Sequence, residues 1–121
     1  MKIKTTVVIG ASENPERYSN RVTRMLKHKG MPVIAVGLKS GEIEGVKIQT
    51  GFPKVENVNT VTLYIGAKNQ PSYYDYIISL KPVRVIFNPG AENPEFEKIL
   101  EEKGIEAMKA CTLIMLTIGN Y

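Results

Sequence analysis

The stretch Thr6-Val7-Val8-Ile9-Gly10-Ala11-Ser12-Glu13-Asn14-Pro15-Glu16-Arg17-Tyr18-Ser19 joins an apolar, β-branched run to a polar loop at a glycine. The run Thr6–Ile9 does not alternate between apolar and polar, so it predicts a parallel strand buried on both faces, central in its sheet. From about Arg17 to Lys29 the apolar residues Tyr18, Val22, Met25 and Leu26 fall at the spacing of one helical face, and Gly30 followed by Pro32 is a strong stop. Pro32-Val33-Ile34-Ala35-Val36 then reads as a second buried strand, which makes strand, crossover helix and parallel strand.

The rhythm continues outward. Thr60–Ile65 is a third strand, with Asn69-Gln70-Pro71 as a helix opening ahead of Tyr73, Tyr76, Ile77 and Leu80 at helical spacing. Val83–Phe87 is a fourth strand; Asn93, Pro94 and Glu95 read as cap, first-turn proline and first-turn acid before the stripe Phe96, Ile99, Leu100, and Gly104 closes that helix. Ile105–Met108 is a short fifth strand, and Thr112–Ile118 is either a terminal helix or a packed tail. The segment 37–56 reads as loop, with a short strand at Val46-Lys47-Ile48. The expectation is a single α/β domain over residues 1–121, a three-layer doubly wound Rossmann-like fold with a parallel sheet of about five strands. In such sheets ligands lie outside the carboxyl ends of the strands, where the strand order reverses.

Composition narrows the function. The 121 residues are 43% hydrophobic, enough for an ordinary core, and the apolar run at the start is too short for a signal-peptide core or a membrane span. The one cysteine, Cys111, makes neither an intrachain disulfide nor a metal cluster by itself, which fits a reducing, cytoplasmic setting. A net charge of +4 suits an anionic partner, but the aromatic residues are not interleaved with a basic run as nucleic-acid binding requires. No membrane or nucleic-acid partner is expected; a phosphorylated small molecule is.

A dinucleotide loop of the Gly-x-Gly-x-x-Gly type would need glycine at Ser12 and Pro15 as well as at Gly10, and Pro15 has no backbone donor. The end of the second strand, Val36-Gly37-Leu38-Lys39, carries a lysine where an NAD site carries an acid. Lys39 therefore points to a phosphate on the ribose, which the 3′-phosphate of coenzyme A and the 2′-phosphate of NADP both supply. Arg17, Arg21 and Arg24 offer further charge near a pyrophosphate.

Taken whole, the loop Gly10 to Ser19 resembles the N-terminal motif of the small CoA-binding domain proteins, relatives of the CoA-binding domain of the succinyl-CoA synthetase α subunit. The resemblance extends over nearly the whole chain: Val33–Val36 with Lys39, the turn Gly45-Val46-Lys47, and Asn88-Pro89-Gly90-Ala91-Glu92-Asn93 after strand four are similar to family features. It implies that Gly10, Ala11, Ser12, Asn14, Tyr18 and Ser19 line the phosphate and adenosine end, with Lys39 at the ribose phosphate. It also implies that the loops after Ile65 and Phe87, the latter with Asn88, Pro89 and Gly90, face the pantetheine arm. The chain departs from the family in Gly37-Leu38, where Asn-Pro is frequent, and in Ala110-Cys111, where an Arg-Cys pair is frequent.

The other reactive residues read blandly. His28, the one histidine, falls on the polar side of the first helix rather than in a late loop, so the phosphohistidine chemistry of the ligase relatives is not expected. Cys111 reads as a small apolar residue, with a thiol near the pantetheine thiol as the sharper alternative, and Tyr73 and Tyr76 read as packing. No Ser-His-Asp set, zinc-ligand spacing or carboxylate pair stands out. The expectation is a non-catalytic binding or regulatory module for coenzyme A or an acyl-CoA. The alternatives are an NAD(P)-binding redox or sensor domain, or a protein that pairs with itself through Leu113–Leu116 or with an unknown protein partner.

Overall fold

In the computed structural model, which describes residues 4–121, the β-branched run Thr5–Ile9 forms β1, and Val7, Val8 and Ile9 are fully buried. The sequence reading of the first three residues lies outside the described ones. The order continues with α1 (Tyr18–His28), β2 (Val33–Val36), β3 (Gly41–Ile43), β4 (Val46–Gln49) and β5 (Val58–Leu63). After two single 3₁₀ turns at Ala67–Asn69 and Pro71–Tyr73 come α2 (Tyr74–Ser79), β6 (Arg84–Phe87), α3 (Pro94–Glu102), β7 (Glu106–Lys109) and α4 (Thr112–Ile118).

The sheet order is β3-β4-β2-β1-β5-β6-β7, parallel throughout except that β3 runs antiparallel to β4. The chain moves outward from β1 to β2 on one flank and returns to β5 on the other, so the reversal falls between β1 and β5. The α/β, doubly wound, Rossmann-like reading holds, but the sheet has seven strands rather than about five. The two additional strands lie in the segment 37–56: β4 covers the short strand read at Val46-Lys47-Ile48, and β3 falls where a loop was expected. Glu44 and Gly45 have φ of 45° and 89°, and this pair of left-handed residues closes a tight hairpin in which Ile43 faces Val46. Its turn lacks the Asn-Gly or Asp-Gly signature, and β4 is held on the sheet by a two-residue register with β2, Ala35 to Ile48 and Val36 to Gln49.

Strand alternation divides the interior. Val7, Ile9, Val61, Leu63, Val85 and Phe87 meet Ile77 of α2 and Phe96 and Leu100 of α3 on one face. Val8, Ala35 and Ile48 meet Val22 and Leu26 of α1 and Leu116 of α4 on the other. On that second face β5 presents Thr60 and Thr62, both buried, and the polar groups are paired. Thr62 Oγ1 lies 2.8 Å from Thr112 Oγ1, while Asn88 Nδ2 donates to Thr62 Oγ1 at 2.7 Å and to the Leu63 carbonyl at 2.9 Å. The Thr112 amide completes the set by donating to Asn88 Oδ1 at 2.9 Å, which seats the start of α4 on the sheet.

Two further sequence expectations are amended and one left open is resolved. The helix opening at Asn69-Gln70-Pro71 becomes two 3₁₀ turns because Gln70, with no exposed surface, turns inward: its Nε2 donates to the carbonyls of Ile65 (3.0 Å) and Ala91 (2.7 Å). Tyr18 leaves the apolar stripe; it is 58% exposed at the first position of α1, with the Arg21 guanidinium over its ring. The tail 112–118 is a helix, with Met115 and Leu116 buried within the chain and Ile114 and Ile118 outward.

The Asn88 amide satisfies three buried partners at once, so Asn88→Leu is expected to destabilise the fold by about 2–4 kcal/mol, since orphaned buried groups retain their full desolvation cost. Urea unfolding of the two proteins measures the difference; a loss below about 0.5 kcal/mol, the scale of neutral surface changes, would show that the network is not structural.

Candidate functional site

The loops after β1, β2 and β5 converge at the reversal point. Val36 accepts two amides there, Gly10 and Ala11, each at 2.9 Å, while the Gly37 amide reaches the Gln49 carbonyl and the Tyr64 amide the Ile9 carbonyl, also at 2.9 Å. The crowding explains the glycines. Gly10 has φ of +97°, and a Cβ on it would stand 2.9 Å from the Tyr64 carbonyl oxygen; a Cβ on Gly37 would stand 2.5 Å from the Ala11 carbonyl oxygen.

Beyond Gly10 the loop is braced by its own polar side chains. Asn14 donates its amide to Ser12 Oγ at 3.1 Å, and Glu16 donates to Asn14 Oδ1 at 3.0 Å, two local turns of the kind that short polar residues favour. From α1, Asn20 Nδ2 donates to the Ser12 carbonyl at 2.8 Å, and Arg24 bridges Asn20 Oδ1 at 2.7 Å and the Pro15 carbonyl at 3.2 Å. Ser12 keeps its hydroxyl hydrogen and Asn14 its side-chain Nδ2 free of these contacts. The helix begins without a side-chain cap and without an acid in its first turn, so the Tyr18 and Ser19 amides and the positive end of the helix are left open.

A cleft of about 430 Å³ lies over this edge. The β1 loop contributes Gly10, Ala11, Ser12, Glu13, Asn14 and Arg17; the β2 loop contributes Leu38, Lys39 and Ser40; Tyr64 and Ile65 close it from β5. Arg17 and Lys39 thus stand on two loops around one space. The acid Glu13 is drawn to the hairpin, its Oε2 accepting the Glu42 amide at 2.9 Å. A second cleft of about 510 Å³ shares Gly10, Leu38 and Ile65 with the first and continues past Gly37 to Lys68, Asn69 and Tyr73. Leu38, 89% exposed, projects where the two meet.

The structure therefore gathers Gly10, Ala11, Ser12, Asn14, Arg17, Lys39 and Ile65 around one cleft. It does not bring the other expected residues to it as side chains. Ser19 is buried, with its carbonyl accepting from Thr23, and Tyr18 projects outward. Asn88 is buried in the Thr62–Thr112 network, and Pro89 and Gly90 are exposed at the β6 end without lining either cleft. Sequence reasoning missed Gly37, Leu38 and Lys68 as lining residues and Asn20 as the brace of the loop. A polar Asn on the buried side of α1 was the one available signal for the last. Cys111 is half-buried at the start of α4, and His28 is exposed with its Nε2 2.7 Å from Glu44 Oε1. Among the described residues no group of three or more His, Cys, Asp or Glu side chains is placed to hold a metal ion, and no helix is long and apolar enough to cross a membrane.

Tyr64 lines the first cleft, but its hydroxyl is buried beside the Thr62 and Thr112 hydroxyls without a hydrogen bond of proper geometry to either. Burial pushes its pKa well above the ordinary value, an effect the neighbouring Thr112 and Thr62 hydroxyls oppose.

A family described as a CoA binding domain matches residues 4–117 of this sequence. The chain belongs to that family. A crystal structure of an uncharacterized protein is 50% identical and superposes with a TM-score of 0.94 over 98% of each chain. A hypothetical protein from Pyrococcus horikoshii OT3 is 26% identical, with a TM-score of 0.83 over 93% of this chain and 81% of that one. The cell-free ID.343 protein from Thermus thermophilus is 24% identical, with a TM-score of 0.84 over 98% of this chain and 91% of its own, a likeness of fold. No curated protein matches the chain. The match over residues 4–117 agrees with the resemblance read along nearly the whole sequence of this CoA-binding-domain chain, from the loop after β1 to the loop after β6.

Two outcomes are expected. Gly37→Ala forces its new methyl into the Ala11 carbonyl and is expected to cost about 1–3 kcal/mol by the scale of overpacked sites, measured by thermal or urea unfolding; an unchanged stability would mean that the loops separate freely. Because the folded Tyr64 phenol resists ionisation, its contribution is intact below the unfolded value of 10.0 and declines above it as the unfolded chain ionises first. The stability of Tyr64→Phe is expected to fall less than that of the parent between about pH 10 and 12 in parallel unfolding titrations, and equal slopes would refute this.

Proposed function

We propose that this chain binds coenzyme A through its phosphate-bearing end, in the cleft between the β1 and β2 loops, as a single-domain binding or regulatory module without chemistry of its own. The observation that carries this reading is the meeting, around one cleft, of two cations from different loops, Lys39 after β2 and Arg17 at the uncapped start of α1. A diphosphate suits the helix start, where backbone amides and the macrodipole favour an anion. A ribose phosphate suits Lys39, a point charge on a flexible stem. Membership of the CoA-binding-domain family supports coenzyme A over other nucleotides.

Gly10 and Gly37 contribute by what they lack: a Cβ at either position would strike the Tyr64 or the Ala11 carbonyl, so their bareness lets the loops that floor the cleft close together. Ser12 and Asn14 contribute a hydroxyl hydrogen and an amide left over after bracing the loop. The pantetheine arm then follows the second cleft, past Leu38 and Ile65 toward Lys68 and Tyr73. In this reading Pro89 and Gly90 lie beyond the arm, and Asn88 acts as a strut below it.

The test is a calorimetric or thermal-shift comparison of coenzyme A, dephospho-coenzyme A and NADP on the parent and on Lys39→Ala. Coenzyme A is expected to stabilise the folded state, with Lys39→Ala weakening it about five- to tenfold while leaving dephospho-coenzyme A nearly unchanged. A response to NADP with none to coenzyme A would replace this reading with that of a redox or sensor domain, for which Lys39 would hold the 2′-phosphate.

A further inference from the structure

A third groove, about 800 Å³ and open to solvent, runs between the segment 51–56 and one side of α2. Resting on the reading that coenzyme A follows the first two clefts, we propose that the ligand is an acylated coenzyme A whose aliphatic chain, of medium length, lies in this groove.

Continuity is the first argument. Ser72 lines both the second cleft and this groove, and Tyr73, a wall of the second cleft, has its ring centroid 5.5 Å from that of Phe52 in the third. An arm that reaches Tyr73 therefore arrives at the mouth of the groove.

The change of chemistry along the path is the second. Arg17 and Lys39 serve the first cleft and Lys68 the second, whereas the groove sets Lys54 against Glu56 and Asp75 and so offers a phosphate no net attraction. Its apolar surface comes from Phe52, Val55, Tyr76 and Leu80. A path that is cationic at one end and apolar at the other matches a ligand with an anionic head and an aliphatic tail.

Shape and rigidity are the third. Ser72, Tyr76 and Leu80 recur at a spacing of four on one side of the helical segment, and the rise from Ser72 to Leu80 is about 12 Å, a trough rather than a pit. Phe52 is 57% exposed although it packs on Tyr73 and, at 5.4 Å, on Tyr76, so its outer face is available to a tail. The Tyr76 hydroxyl donates to the Pro53 carbonyl at 2.6 Å and ties the two walls together, so the trough is formed before a ligand arrives.

The test measures the affinities of coenzyme A, acetyl-CoA and octanoyl-CoA for the parent and for Phe52→Ala, an exposed substitution whose folding is checked by its melting curve. Burial of the longer tail is expected to make octanoyl-CoA bind at least about tenfold more tightly than acetyl-CoA. Phe52→Ala is expected to erase most of that preference while leaving the affinity for coenzyme A unchanged. If coenzyme A binds but affinity is independent of chain length, or if the preference survives in Phe52→Ala, this inference falls and the coenzyme A reading stands. If the effect of Phe52→Ala is confined to self-association in sedimentation, the groove is a contact between copies and the inference again falls. If none of the three ligands binds, both readings fall together.

Discussion

The Val36 carbonyl, which accepts the amides of both Gly10 and Ala11, holds the carboxyl ends of β1 and β2 in a single bifurcated contact. On the other flank the Tyr64 amide binds the Ile9 carbonyl, and Gly10 lies so near Tyr64 that even a methyl group would collide with its backbone. Three loops therefore leave the sheet at the place where strand order reverses, and each must turn away from the others. The cleft over the edge is a geometric consequence of that divergence. Gly10 and Gly37 are the residues that let the strands close this far.

The loops above that edge are fixed by buried polar groups rather than by apolar packing alone. Gln70 links the carbonyls after β5 and β6 and accepts from Asn93 Nδ2 at 2.9 Å, while Asn93 also caps α3 through the Phe96 amide at 3.2 Å. Asn88 does the equivalent work between β5, β6 and α4. Such networks are costly when incomplete and specific when complete, because each member loses a partner if any element shifts. They hold the far wall of the edge rigid, while the near wall, the β1 loop, is braced from α1 by Asn20 and Arg24.

Charge follows the same division. The first helix and its cap carry Arg17, Arg21, Arg24, Lys27 and His28 without one acid; at the far end Glu44 of the hairpin turn meets His28 through its carboxylate and Lys27 through its backbone carbonyl. Glu44 is engaged at the far end and Glu13, held by the Glu42 amide, is the one acid lining the cleft, which Arg17 and Lys39 outweigh. The modest net charge of +4 understates this local asymmetry, since α3 carries four of the acids on the opposite face of the sheet.

The sequence by itself determined the alternating α/β order, the buried character of β1, β2, β5 and β6, the cap at Asn93 and the turn at Gly10 that ends β1. These are local properties: β-branched runs, helical spacing and Gly or Pro stops act over a few residues and leave a readable pattern. Although the short strand read at Val46-Lys47-Ile48 became β4, tertiary structure alone decided β3 and its pairing with β4, since the Glu44-Gly45 turn has a weak signature and β4 itself is held by only two residues of β2. It also decided that Gln70 and Asn88 point inward and that Tyr18 points outward. No local pattern distinguishes a polar side chain that will meet a carbonyl about twenty residues away from one that will meet water. The joining of Gly37, Leu38 and Lys68 to the cleft had the same cause: they come together only because the sheet places the ends of β1, β2 and β5 side by side.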